Sequence, residues 1–100
     1  MSKDVLHLVL TGFWFDEIDS GRKNVEYREF TPYWRRRISL MSKPKVVVFH
    51  RGYSRKIMVF AVKDILHVHD CFKLTDRFEI HLGERLRPLI KTQRTLEAND

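Results

Sequence analysis

Gly21-Arg22-Lys23-Asn24-Val25-Glu26-Tyr27-Arg28-Glu29-Phe30 is the stretch on which the reading of this chain turns. It follows an apolar, acidic run, Gly12 to Ser20, that reads as a short helix. Gly21 sits where a C-terminal capping glycine belongs. Beyond it the residues alternate as they do in a strand. Lys23, Val25, Tyr27 and Glu29 share one face, and Asn24, Glu26, Arg28 and Phe30 share the other. Ionisable groups on both faces are unusual, because burial is costly for a charge unless it is paired. One reading is an exposed edge strand blunted by charge. The other is a wet cleft in which the charges meet each other and a ligand. The helix ends, aromatics and second basic loop nearby favour the cleft.

Upstream, Val5 to Leu10 is a short apolar run that reads as a buried strand. Thr11 is placed to cap the helix, whose broad apolar face holds Phe13, Trp14, Phe15 and Ile18. Downstream, Thr31-Pro32 repeats the helix-start signal, a capping hydroxyl followed by proline at the first helical position. Tyr33 to Ile38 follows on a short helix. Its three consecutive arginines cannot all face one way, so at most two serve one ligand. Met41 to Lys45 reads as a loop and Val46 to His50 as the clearest strand. Arg51-Gly52-Tyr53-Ser54-Arg55 is a turn. Lys56 to Val68 is a long strand bent near Lys63-Asp64. His69 to Asp76 is a loop, Phe78 to Leu82 a last strand ended by Gly83, and Arg85 to Asp100 a polar tail. The order β-α-β-α-β-β-β, with hairpins between the late strands, implies an α+β fold. We expect a small mixed β-barrel of about five strands with two short flanking helices, and not a doubly wound sheet.

One hundred residues make one domain, residues 1–100, with a core over about 5–84. A single cysteine, Cys71, excludes an internal disulfide and fits a reducing compartment. No signal peptide precedes the fold and no apolar run approaches a membrane span, so a cytoplasmic protein without a membrane partner is expected. The formal charge of +6 is uneven. Residues 22–56 carry eleven bases against two acids, whereas residues 57–100 carry seven of each. A basic segment on a near-neutral body is the footprint of a polyanion, although a solvated basic surface competes with that reading.

His67, His69, Asp70 and Cys71 lack zinc-type spacing, and neither a hydrolase elbow nor a phosphate loop occurs, so no metal and no cofactor is expected. What remains is Lys23, Glu26, Tyr27, Arg28 and Glu29, with the basic turn. A lysine beside carboxylates in a dry cleft acts as acid, base or nucleophile. Glu26 near an arginine orients or activates a water. The plainer alternative is structural ion pairing that holds the barrel mouth closed. The turn also has two readings. Arg51, Arg55 and Tyr53, with Ser54, bracket a phosphate or base, or they decorate a turn that needs Gly52. A third possibility is a protein-interaction module that uses Trp14 or Trp34 as an exposed anchor.

Phe15-x-x-Ile18-x-x-Gly21-x-Lys23-x-x-Glu26-x-Arg28 resembles the signature of the ASCH domain, a branch of the PUA-like superfamily. Glu26 to Trp34 is similar to the small bacterial and phage members, Phe49 to Ser54 resembles their second block, and Leu82-Gly83-Glu84 their closing strand end. The resemblance covers most of residues 5–84. It implies a small PUA-like barrel with a cleft beside the signature strand, and RNA, a nucleoside or a nucleotide as partner. On this resemblance Lys23, Glu26, Tyr27, Arg28, Tyr33, Arg35, Arg36, Arg51, Tyr53, Ser54 and Arg55 are the ligand-binding candidates. Some small relatives hydrolyse the acetyl amide of 4-acetylcytidine with the signature lysine, a threonine three residues later and a glutamate from a later strand. By position Lys23 matches that lysine, Glu26 stands where the threonine stands, and Glu79 is the nearest match to the glutamate. The resemblance therefore offers Lys23, Glu26 and Glu79 as catalytic candidates without reproducing the triad as such.

Overall fold

A computed structural model describes residues 5–40 and 44–87. The element order is the expected one: β1 (Val5–Leu10), α1 (Gly12–Asp19), β2 (Val25–Glu29), α2 (Pro32–Leu40), β3 (Val46–Arg51), β4 (Ile57–Asp70) and β5 (Thr75–Leu86). The five strands form one mixed sheet in the order β1-β3-β4-β5-β2, curved into a half-barrel with the two helices beside it. β1 and β3 are parallel, and every other pairing is antiparallel.

Alternation builds the core. Leu6, Leu8 and Leu10 point inward from β1, while His7 and Val9 face out, so β1 is buried on one face only. Val47 and Phe49 of β3, Met58 and Phe60 of β4, and Ile80 and Leu82 of β5 meet those leucines. Phe15 and Ile18, three residues apart on α1, cover them, and Trp34 of α2 packs against the same cluster. The helix starts follow the capping rules in part. Trp34 N–H donates to the Thr31 hydroxyl at 3.3 Å, with Pro32 as the first helical residue. Thr11 precedes α1 in an extended conformation without a side-chain cap.

Gly21 ends α1 at φ 86°, and its N–H donates to Ile18 O at 3.1 Å. Nothing lies within 4 Å of where its Cβ would be, so Gly21→Ala carries only the left-handed backbone penalty. We expect a loss of about 1 kcal/mol, read as a shift of the urea midpoint without a change of slope.

Four expectations need correction. The strand of the opening stretch begins at Val25, because Lys23 N–H donates to Glu17 O at 3.2 Å and keeps residues 21–23 against the end of α1, while Asn24 O already accepts from Leu82 N–H of β5 at 3.0 Å. Lys23 is therefore not on a strand face with Val25 and Tyr27. Residues 69–76 are not an open loop. The Asp70 carboxylate accepts from Phe72 N–H and Lys73 N–H, which tightens the turn and lets β5 start at Thr75. Gly83 does not end β5, which pairs on to Leu86 opposite Val59. The bulges of β4 between Phe60 and Asp64 bend the hairpin there, close to the expected bend, and a Cβ on Gly83 would already sit 3.4 Å from Ala61 O. Arg85 and Leu86 thus belong to the sheet and not to a tail. The rest of the expected tail, residues 88–100, and residues 41–43 of the expected loop lie outside the described residues. Among the described residues no helix is long and apolar enough to cross a membrane.

Candidate nucleotide cleft

β1 and β2 are the two free edges of the sheet, and the site lies where they approach each other. Arg28 bridges the gap: its Nη2 donates to Val9 O of β1 at 3.1 Å. The same nitrogen is 3.2 Å from Glu26 Oε2, and the guanidinium carbon sits 5.2 Å from the centre of the Trp34 ring. A side chain closes the half-barrel here in place of a backbone ladder. The contact that spans the gap is the Arg28–Val9 hydrogen bond, whereas the Glu26–Arg28 ion pair joins two residues of β2.

Glu26 is the one buried charged residue of the described core, 7% exposed. A second cation reaches it from outside, with Lys23 Nζ 3.9 Å from Oε1. Burial pushes the Glu26 carboxyl above the ordinary carboxylate range, while Arg28 first and Lys23 next pull it back. The two cations are not equivalent. Arg28 is within hydrogen-bond range of the carboxylate, whereas 3.9 Å is too long for a hydrogen bond from Lys23. The lysine is held instead by rings, its Nζ 4.4 Å from the Tyr27 centroid and 5.2 Å from the Trp14 centroid. Because β2 is an edge, Lys23 can lie across it and touch Glu26 from the inner face and Tyr27 from the outer.

Trp14, Lys23, Glu26 and Tyr27 wall a cavity of about 370 Å³. A neighbouring cavity of about 340 Å³ shares Trp14, Lys23 and Tyr27 and adds Glu17, Arg22 and Asn24. Trp14 and Tyr27 are each about half exposed, so both rings offer area to a ligand. The walls combine two aromatic faces, an ammonium with unused hydrogens and a carboxyl whose proton affinity is raised. That set can stack a flat ring, donate to its carbonyl or phosphate, and exchange a proton with it.

The other sequence candidates fall elsewhere. Glu79 lies cross-strand from Tyr27, on the sheet face opposite Glu26. Its carboxylate accepts from Arg77 at 2.7 Å and contacts His81 at 3.0 Å, and these partners, Arg77 first, hold it below the ordinary range. Arg51 makes a two-pronged contact to Asp16, at 3.2 and 3.1 Å, in the middle of α1. The absent side chain of Gly12 leaves room for it. The Ser54 hydroxyl donates to Arg51 O at 2.6 Å and closes the turn, while Tyr53 and Arg55 are exposed. The turn is tied to the start of α1 by Gly52 N–H donating to Leu10 O at 2.7 Å, whereas Lys23 lies beyond the end of the helix. Arg35 covers Phe30 at 4.9 Å, Tyr33 accepts from Arg37 at 3.2 Å, and Arg36 is exposed. Tyr33, Arg35, Arg36, Arg51, Tyr53, Ser54 and Arg55 are outside the walls of the two Lys23 cavities.

Four wall residues were not singled out from sequence as ligand contacts, Glu17, Arg22, Asn24 and Val25; Trp14 entered only as a helix-face aromatic or a protein anchor. The signal for Trp14 was the Phe15–Ile18 spacing, which turns it away from the core. Among the described residues no group of three or more His, Cys, Asp or Glu is placed to hold a metal ion. His67 and His69 both contact the Asp76 carboxylate, at 3.0 and 2.5 Å. No protein-family model matches the chain, and no curated protein matches it.

Proposed function

We propose that the chain is an RNA- or nucleotide-binding module of the ASCH, PUA-like kind, acting in the cytoplasm, with the base of its ligand seated in the cavity that Trp14, Lys23, Glu26 and Tyr27 wall. The observation that carries the reading is Lys23: an ammonium held between two exposed rings, beside a buried carboxyl, with hydrogens left for a ligand. In this reading Lys23 donates to the base or phosphate and Glu26 reads the polar edge of the base. Arg28 keeps Glu26 in place. The exposed cations Arg36 and Arg55 add long-range attraction, and each phosphate contact steepens the salt dependence by roughly one unit of log–log slope. Calorimetric titration with cytidine 5′-monophosphate at low salt tests it. Binding that weakens with salt supports the reading, and absence of binding overturns it.

The Lys23–Glu26 pair favours one second reading, a small amidohydrolase for a modified nucleoside such as 4-acetylcytidine. Water adds to the acetyl carbonyl, whose oxygen takes a hydrogen bond from Lys23. Glu26 accepts the proton of the water and returns it to the leaving amine as the C–N bond breaks, giving cytidine and acetate. Chromatographic release of cytidine that disappears in Lys23→Ala is the expected result on this reading. No release in the parent protein removes it.

A further inference from the structure

Four side chains stand in a row across the β2 edge: Trp14, Lys23, Tyr27 and Arg77. Aromatic and cation alternate along it. Beyond the Lys23 contacts described above, the Arg77 guanidinium carbon lies 5.4 Å from the centre of the same Tyr27 ring. Tyr27 thus belongs to two sites. On one side it walls the Lys23 cavity. On the other it walls a groove of about 780 Å³ with Phe30, Thr31, Leu74, Asp76 and Arg77.

Three features make that groove a place for a flat ring. Arg77 is fixed in plane, since its Nε and Nη2 both donate to Glu79 Oε2, at 3.1 and 2.7 Å. Leu74, at the turn of the β4–β5 hairpin, holds φ 56°, a conformation that favours glycine, and yet puts an exposed leucine on the groove wall. The groove charges are balanced. Glu29 and Asp76 line it as well as Arg28 and Arg77, so it is no trough for phosphates. What it offers is a guanidinium plane backed by the Tyr27 ring, and an apolar wall, the chemistry on which bases stack.

We propose that this groove is the subsite for a second base, adjacent to the one held at Lys23, so that the ligand is a single-stranded nucleic acid and not a free nucleoside. The proposal rests on the Lys23 cavity being a base site. The second base stacks on the outer face of the Arg77 guanidinium, which itself lies over Tyr27, with Leu74 beside it. The phosphate that joins them crosses the β2 edge near Lys23.

The test compares the mononucleotide pC with the dinucleotide pCpC by calorimetry. In the parent protein pCpC is expected to bind about tenfold tighter or more, the increment that one stacked base contributes. In Arg77→Ala the ratio falls to within about threefold. Arg77→Lys, which keeps the charge and loses the plane, falls the same way. Equal affinities for pC and pCpC in the parent overturn the second subsite and leave the first. A tenfold ratio that survives both Arg77 variants overturns the placement. Failure of both ligands to bind overturns this proposal together with the reading it rests on.

Discussion

Arg28→Ala is expected to cost the fold about 3 kcal/mol at neutral pH, the largest loss among the polar residues of the cleft. Three contacts go together: the 3.2 Å pair with Glu26, the 3.1 Å donation to Val9 O, and the stacking on Trp34. The first dominates. Glu26 is almost fully buried, and without Arg28 its charge keeps only the Tyr27 backbone N–H and Lys23, the latter beyond hydrogen-bond length. The buried Arg28 Nε, which has no protein partner, offsets part of the loss, since removing it frees an unsatisfied donor.

The pH dependence follows from the same carboxyl. Its folded pKa lies above the ordinary value of 4.5, so the folded state holds the proton more tightly than the unfolded state. The stabilising contribution of Glu26 is therefore fullest below its ordinary pKa and is lost as pH rises through the folded value. Arg28→Ala removes the strongest charge that pulls the pKa down and so widens the window. Urea unfolding of parent and variant should nearly coincide in acid, where Glu26 is neutral in both states, and diverge as pH rises to neutral. A penalty that does not depend on pH would mean that the Val9 bond and not the Glu26 charge closes the seam. In the double variant Glu26→Leu/Arg28→Met, which replaces the pair with apolar groups, stability should return to within about 1 kcal/mol of the parent.

The element order was legible because each boundary is written in local chemistry: Gly21 past the end of α1, Thr31-Pro32 at the start of α2, the alternation of Val46 to His50. What the sequence hid depends on register or on long-range meetings. Gly83 looks like a stop in isolation, and only its position beside Ala61 makes it a bend. Arg51 reads as a free cation until Asp16, thirty-five residues earlier, takes both ends of its guanidinium. Arg77 carries no local signal, since its place beside Tyr27 comes from the β2–β5 ladder. Lys23 was found as a residue and misplaced as geometry. Alternation assigned it the Tyr27 face, but one hydrogen bond to the end of α1 took it out of the strand and let it reach Glu26.

Lys23→Met should separate gripping from holding. Methionine keeps an unbranched apolar stem between Trp14 and Tyr27 and removes only the ammonium. The fold should lose less than about 1 kcal/mol, because the ion pair it breaks is long and its partner keeps Arg28. Ligand affinity should fall roughly ten- to a hundredfold, the range of one charge-assisted hydrogen bond of about 1.5–3 kcal/mol. Arg28→Ala predicts the opposite pattern, with stability falling first and affinity only as Glu26 shifts. Calorimetric titration with cytidine 5′-monophosphate, beside urea unfolding of the same samples, reads both quantities. Lys23→Arg then tells charge from shape. The wider guanidinium restores the charge, but it fills the gap between the rings and reaches Glu26 directly, so it should rescue stability without rescuing affinity. Full rescue of binding by arginine would make the cleft a simple electrostatic patch and would deny the rings their part in it.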